Sequence, residues 1–595
     1  MKSPTADPLS DFFFWRKDNF ILTNPSFLCY AEFVDNDWIS HENKRRKEKK
    51  DMKNFNYFGV MIDCSRNAVP NLTALKRFIE ILSKMGYNCA MLYTEDTYEV
   101  EGQPFFGYKR GKYTIEELRE IDAYAASVGV EMIPCIQTLA HVNAIIRWDV
   151  YKRMRDCDDI LLAGDERTYA LIDSMFASLS KALRSRKIHI GMDEAHMVGL
   201  GRYLDKNGYR NRHDILLEHL NRVCEIARKY GYETMMWNDM FFRLDLDGEY
   251  YVPKDKRATY HISDEVRAKV PADLSGVYWD YYNTDAECYD VMMARSDELS
   301  PGRVWFAGGA WCWGGFAPHN RYSMRRNAIA IPACIRNGVK NAILTMWGDD
   351  GGETPIFAVL PALMHAAALA EGWTEDEMKE KFLEITGVAY DDMLTLDLPN
   401  YIYGSEHSVG TANYSKNRLY NDPFLGIVDK NTERPVDPAI FGEYAKILHE
   451  YAANYPEFGY LFETQATLCD MLTEKFDLGI RTRALYEKND REALRALANE
   501  EYTRCLENLD AFYTAFRDQW ETVNKTYGFE MQDMRLGGLL ARVKNCKRRL
   551  LDYADGKIDR IAELEEAVLP HDGGNVCQWN HSFSANTIAM NYIII

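Results

Sequence analysis

A chain of 595 residues is too long for one ordinary core, and a composition of 47% hydrophobic and 13% aromatic residues belongs to a folded globular protein, not to a disordered one. The formal net charge of −19 argues against nucleic acid and anionic membrane surfaces as partners, because both are held chiefly by clustered Lys and Arg. Thirteen cysteines, with no Cys-x-x-Cys spacing, disfavour a disulfide framework and a structural zinc site and fit a reducing compartment.

Residues 1–56 are too few for a domain and are expected to form an N-terminal extension. Their start, "MKSPTADPLSDFFFWRKDNF", lacks the longer apolar core and cleavage site of a secretory signal. No apolar run approaches the roughly 20 residues that cross a bilayer. The expectation is a cytoplasmic protein, and the basic run Lys44–Lys50 reads as a solvated linker face.

From Tyr57 one rhythm repeats: a short apolar or β-branched run, a polar loop, then a segment of helical period. Runs begin at Tyr57, Asn88, Val130, Ile188, Glu233, Ser275, Arg303 and Asn341. The helical segments between them, such as Asn71–Gly86, Thr114–Gly129 and Arg212–Gly231, each close on a glycine, a helix C-terminal signal. Eight such units predict a (β/α)₈ TIM barrel over residues 57–371, with an open doubly wound sheet as the alternative. Beyond it the strand signals stop, and residues 372–595 predict a mainly α-helical C-terminal domain with an irregular tail.

A barrel directs attention to the C-terminal ends of its strands, where active sites of this architecture form. The run at Ile188 carries "GMDEAH" and reads as a strand continuing through Gly191 and Met192, with adjacent acids Asp193 and Glu194 at the lip. Adjacent acids there could simply favour the N-terminus of a following helix. A carboxyl desolvated at the lip would instead have its pKa raised and act as an acid near neutral pH. A conventional retaining glycosidase pair must sit about 5–5.5 Å apart across the scissile bond, a poor fit for sequence neighbours, and a nucleophile belonging to the substrate would remove that difficulty.

Trp237, Trp279, Trp311, Trp313 and Trp347 also fall at predicted strand ends. Indole faces stack on pyranose C–H faces while neighbouring polar groups bind hydroxyls. Candidate sugar contacts are therefore Trp237, Trp313 and Trp347, with Asp239 and Asp280 beside them. Arg66 either pairs with Asp63 or offers its donor fork to two vicinal hydroxyls, and Asp349 follows Trp347 by two residues. His141 and His196 lack companions at metal-ligand spacing and fit an orienting role beside a carboxylate, or a structural one in the case of His196. No cofactor and no metal are expected.

Through "DCSRN", "QTLAHVN", "GMDEAH", "WND", "YWDYY" and "MWGDD" the sequence resembles the family 20 glycoside hydrolases, the exo-β-N-acetylhexosaminidases, and within them the bacterial subgroup without an N-terminal accessory domain. The resemblance spans roughly residues 57–370, with Met192 standing where the family motif has a second glycine. It implies substrate-assisted retention through an oxazolinium intermediate. Glu194 would be the general acid and Asp193 the residue orienting the 2-acetamido group. Tyr278 or Tyr281 would hydrogen-bond the acetamido oxygen, while Arg66, Asp349 and Trp347 would hold the terminal sugar and His141 would lie near the acid. The implied partners are oligosaccharides or glycan fragments ending in N-acetylhexosamine, and a homodimer is an open assembly state. Two other readings of the residues are a non-catalytic sugar-binding protein and a two-carboxylate β-glycosidase with its nucleophile on another strand.

Overall fold

The computed structural model describes residues 54–349, 351–404, 414–432 and 434–570. The expected N-terminal extension, apart from its last three residues, and the irregular tail beyond residue 570 lie outside the described residues.

Eight parallel strands close a barrel in sequence order. They are β1 Tyr57–Asp63, β2 Cys89–Tyr93, β3 Glu131–Cys135, β4 Lys187–His189, β5 Glu233–Trp237, β6 Ser275–Trp279, β7 Trp305–Gly309 and β8 Asn341–Met346. Closure is made by β1, which pairs with β2 at Gly59↔Cys89 and with β8 at Tyr57↔Asn341. The open doubly wound alternative is thereby excluded.

Strand alternation divides the side chains into two cores. Met61, Met91, Ile133, Met235, Val277 and Ile343 fill the barrel interior, whereas Val60, Ile62, Ala90, Leu92 and Leu344 face outward against the helices. Burial on both faces is why these runs are apolar almost throughout. Local sequence sets the helix ends: Asn71 caps Leu72–Lys84 by accepting from the Ala74 N–H, and Thr114 and Glu117 form a capping box at Ile115–Ser127.

After β8 the described elements are helical, the long ones being Ala439–Asn454, Gly459–Lys475, Glu501–Val523 and Phe529–Ala554. The region they form meets the barrel at several points. The Gln465 amide donates to the Phe316 carbonyl at 2.8 Å, and the Lys525 ammonium pairs with Glu117 at 2.8 Å. The described residues form one compact unit. The expected boundary at 371/372 falls in the turn between helices Leu360–Glu371 and Glu375–Thr386.

Candidate active site

One pocket at the C-terminal mouth is lined by side chains from loops after most of the strands. The β1 and β8 exits meet first: Asp63 accepts from the Ser65 N–H at 2.7 Å and from the Gly348 N–H at 2.9 Å. Arg66 pairs with Glu95 at 2.5 Å, so its carboxylate partner is not the Asp63 that sequence proximity suggested. Burial pushes the Glu95 carboxyl up and Arg66 opposes that shift. Asp349 lines the same pocket as Arg66.

The acid pair is presented differently from the sequence reading. Strand β4 ends at His189, and Gly191, Met192 and Glu194 all take positive φ, 72°, 72° and 50°. The chain therefore leaves the barrel in a left-handed turn, not as a strand running to the lip. Any Cβ at position 191 would stand 2.0 Å from the Gln137 amide oxygen, which restricts that position to glycine. Left-handed backbone at Met192 and Glu194 costs on the order of 1 kcal/mol or more each, a cost typical of functional turns. No helix follows at once; the next begins at Arg202, so the acids do not cap one.

Gln137 is the centre of this turn. Its amide nitrogen donates to Asp193 Oδ1 at 2.7 Å and to the Tyr93 hydroxyl at 2.9 Å, and its oxygen accepts the Met192 N–H at 3.1 Å. His141 Nε2 lies 3.3 Å from Asp193 Oδ2 and 3.7 Å from Glu194 Oε2, while its Nδ1 is 3.6 Å from Asp159. Burial disfavours the charged forms of both Asp193 and His141, but their mutual attraction wins. The Asp193 carboxyl is held below its usual value and the imidazole is lifted to about 10. Asp193 is thus a fixed carboxylate.

Glu194 differs from its neighbour. Its side chain is 42% exposed, so the desolvation expected of a lip position is missing. Its backbone N–H donates to Asp239 at 3.1 Å, and Arg243 Nη2 lies 3.7 Å from its carboxylate. Asp239 is fully buried and does not line the pocket. Burial, with Asp193 and Glu194 nearby, pushes its pKa up to about 7 against the pull of Arg243. Asp239 therefore lies behind Glu194, outside the pocket lining.

Aromatic rings wall the rest. Trp347 meets Tyr93 edge-on at 4.8 Å and lies 6.1 Å from Trp237. Tyr281 stacks on Trp279 at 5.3 Å and contacts Trp313 edge-on at 5.5 Å. All of these rings line the pocket, as does Tyr282, whereas Trp311 is buried behind Trp313 at 4.2 Å. Tyr278 stands apart from these rings. It points outward from β6, fully buried, and its hydroxyl donates to Asp280 at 2.7 Å. Asp280 in turn accepts from the N–H groups of Tyr282 and Asn283, so Tyr278 and Asp280 shape the turn that carries Tyr281 and neither faces the pocket.

Sequence reasoning passed over Gln137, Glu95, Tyr93, Tyr282 and Arg243. Arg243 had a usable signal, since it follows Asp239 by one helical turn and pairs with it at 3.3 Å. Gln137 had only its place at a strand end. Among the described residues no three His, Cys, Asp or Glu side chains gather as a metal-binding group.

A barrel mouth that sets adjacent acids among indole rings and an arginine fork is suited to holding a sugar ring beside an acid. Residues 55–258 match the model of the glycosyl hydrolase family 20 catalytic domain, and residues 391–583 match that of the glycoside hydrolase 20C C-terminal domain. The chain thus carries a glycoside hydrolase family 20 catalytic domain and, after it, a glycoside hydrolase 20C C-terminal domain. It is 21% identical to human hexosaminidase D over 346 residues, 54% of this chain and 68% of that one. It is 30% identical to the β-hexosaminidase of Vibrio furnissii over 182 residues, 24% of this chain and 30% of that one. The solved β-N-acetylhexosaminidase of Bacteroides fragilis aligns at 18% identity with a TM-score of 0.40, over 56% of this chain and 69% of that one.

Proposed function

We propose that the protein is an exo-acting, retaining β-N-acetylhexosaminidase that removes terminal β-linked GlcNAc or GalNAc by substrate-assisted catalysis. The observation that carries this reading is the state of Asp193. A carboxylate whose two oxygens are already engaged by Gln137 and His141 is an orienter and charge stabiliser, not a free nucleophile. Its neighbour Glu194 is 42% exposed and lines the pocket, where its carboxyl can reach a bound substrate.

In this mechanism Asp193 accepts the N–H of the substrate's 2-acetamido group and stabilises the positive charge that develops there. The acetamido oxygen attacks the anomeric carbon as the glycosidic bond breaks. Glu194 gives its proton to the departing oxygen, leaving a cyclic oxazolinium. Water then attacks the same carbon from the vacated face, Glu194 takes the water's proton, and the acetamide is restored with β configuration retained. Burial pushes the Tyr281 hydroxyl pKa up, so it stays protonated and serves as the donor to the acetamido oxygen. Trp237, Trp279, Trp313 and Trp347 enclose the acetamide and the pyranose face, and Arg66 and Asp349 bind the outer hydroxyls.

The same proposal assigns catalysis to residues 57–371, a supporting role to residues 372–595, and soluble glycan fragments as substrates in a cytoplasmic setting. The match of residues 391–583 to a glycoside hydrolase 20C C-terminal domain supports assigning the C-terminal region to the same family. The test is the p-nitrophenyl β-glycoside pair: the β-GlcNAc substrate is cleaved, the β-glucoside is not, and a thiazoline mimic of the oxazoline inhibits. Equal cleavage of both without thiazoline inhibition rules the mechanism out.

A further inference from the structure

The loop after β8 carries Asp349 and is pinned at two points, one of them far from the barrel in sequence. On the near side the Gly348 N–H donates to Asp63 and the Gly348 carbonyl accepts from Gly351 and Gly352. On the far side Glu353, whose side chain is fully buried, pairs with Lys416 at 2.8 Å and with Arg535 at 3.1 Å. Those cations come from helices Tyr414–Tyr420 and Phe529–Ala554 of the C-terminal region, and the Gln519 amide of a third helix reaches the Glu353 carbonyl at 3.5 Å.

The described backbone is closely packed between these pins. A Cβ at position 351, where φ is 141°, would stand 2.6 Å from Arg535 Nη1. One at position 352, where φ is 63°, would stand 2.6 Å from the Ala68 Cβ and 2.9 Å from the Arg66 carbonyl. Two consecutive glycines therefore let the loop wedge between the arginine of the C-terminal helices and the loop that holds Arg66. A buried ion pair contributes little net stability over an apolar substitute, yet breaking it by removing one partner is expensive. Its use here is to specify one arrangement.

We propose that Glu353 is a positioning residue for sugar recognition: clamped by Lys416 and Arg535, it fixes the loop that sets Asp349 beside Arg66. The C-terminal helices are then part of the sugar-binding apparatus. This rests on the reading of Asp349 as a sugar-hydroxyl ligand and adds a second layer to it.

A double-mutant cycle on the full-length chain tests it with p-nitrophenyl β-GlcNAc. Glu353→Gln lowers kcat/KM roughly tenfold, mainly through KM, because a small misplacement of a binding group is costly. In an Asp349→Ala background the same change costs less than about twofold, since the residue it positions is gone. Equal losses in both backgrounds would mean a structural role only and overturn the proposal, as would an unchanged KM. Should Glu353→Gln not fold, Lys416→Met, which leaves the Glu353–Arg535 pair charge-balanced, takes its place in the cycle with a loss of roughly threefold expected and the same criterion. A wild-type enzyme that cleaves no β-N-acetylhexosaminide fails the underlying reading instead, and the clamp's function with it.

Discussion

One side-chain amide, that of Gln137, holds both Asp193 and the backbone that presents it: the nitrogen donates to the carboxylate at 2.7 Å and the oxygen accepts the Met192 N–H at 3.1 Å. Gln137→Leu removes both bonds at a buried site. It is expected to lower kcat on p-nitrophenyl β-GlcNAc by about 10²-fold, comparable to losing one donor to a developing charge. A stopped assay with thermal melting in parallel checks this; wild-type kcat with unchanged thiazoline affinity would refute the amide's role.

The two acids are expected to fail differently. Glu194→Gln cuts turnover by 10²- to 10⁴-fold on substrates with poor leaving groups, the usual worth of general acid catalysis, and far less on p-nitrophenyl glycosides. Asp193→Asn is slow on both kinds, because it weakens stabilisation of the acetamido cation and not leaving-group protonation. Comparing p-nitrophenyl β-GlcNAc with a chitobiose-type disaccharide separates them, and an identical loss pattern for the two variants contradicts the division of roles.

Tyr278 and Tyr281 make an internal control. Tyr281→Phe is expected to lower kcat about 10²-fold with the fold intact. Tyr278→Phe strips the hydrogen bond to Asp280, which costs about 1 kcal/mol or somewhat more in a buried setting. It should depress the melting temperature while leaving kcat within about threefold. The reverse pattern would move the acetamido partner to Tyr278.

Asp239 links stability to pH. Its pKa is raised to about 7 in the folded protein, by burial first and then by the Asp193 charge, with Glu194 adding and Arg243 opposing. A carboxyl raised in the folded state contributes stability that is fully present below its unfolded value near 4 and is lost as pH rises toward 7. At about 1.4 kcal/mol per pKa unit the effect amounts to a few kcal/mol. Asp239→Asn should therefore melt progressively higher relative to wild type between pH 4 and pH 8. Parallel melting curves across that range would show that Asp239 does not titrate there.

The strands and helices were readable because their signals are local. Apolar runs of strand length, followed by helical periods closing on glycines such as Gly86, Gly129 and Gly231, follow from burial of both sheet faces and from left-handed helix ends. Strand alternation was readable as well, yet it did not say which face of β6 looks into the barrel. That is why Tyr278 and Tyr281 stood level in the sequence and part in the structure.

By itself, then, the sequence determined the order of eight strand–helix units and the gathering of acids, indoles and Arg66 at their C-terminal ends, since both depend on residue type and spacing along the chain. Tertiary structure alone decided the left-handed turn through Gly191, Met192 and Glu194, the engagement of Asp193 by Gln137 and His141, the retreat of Asp239 and Asp280 from the pocket, and the grip of Lys416 and Arg535 on Glu353. Apart from the Asp280 turn, whose partners are two and three residues away, these depend on residues from 45 to 182 positions apart, the Glu194–Asp239 and Glu353–Arg535 spacings. Such pairs carry no local periodicity, and only closure of the barrel and packing of the C-terminal helices bring them within hydrogen-bonding distance.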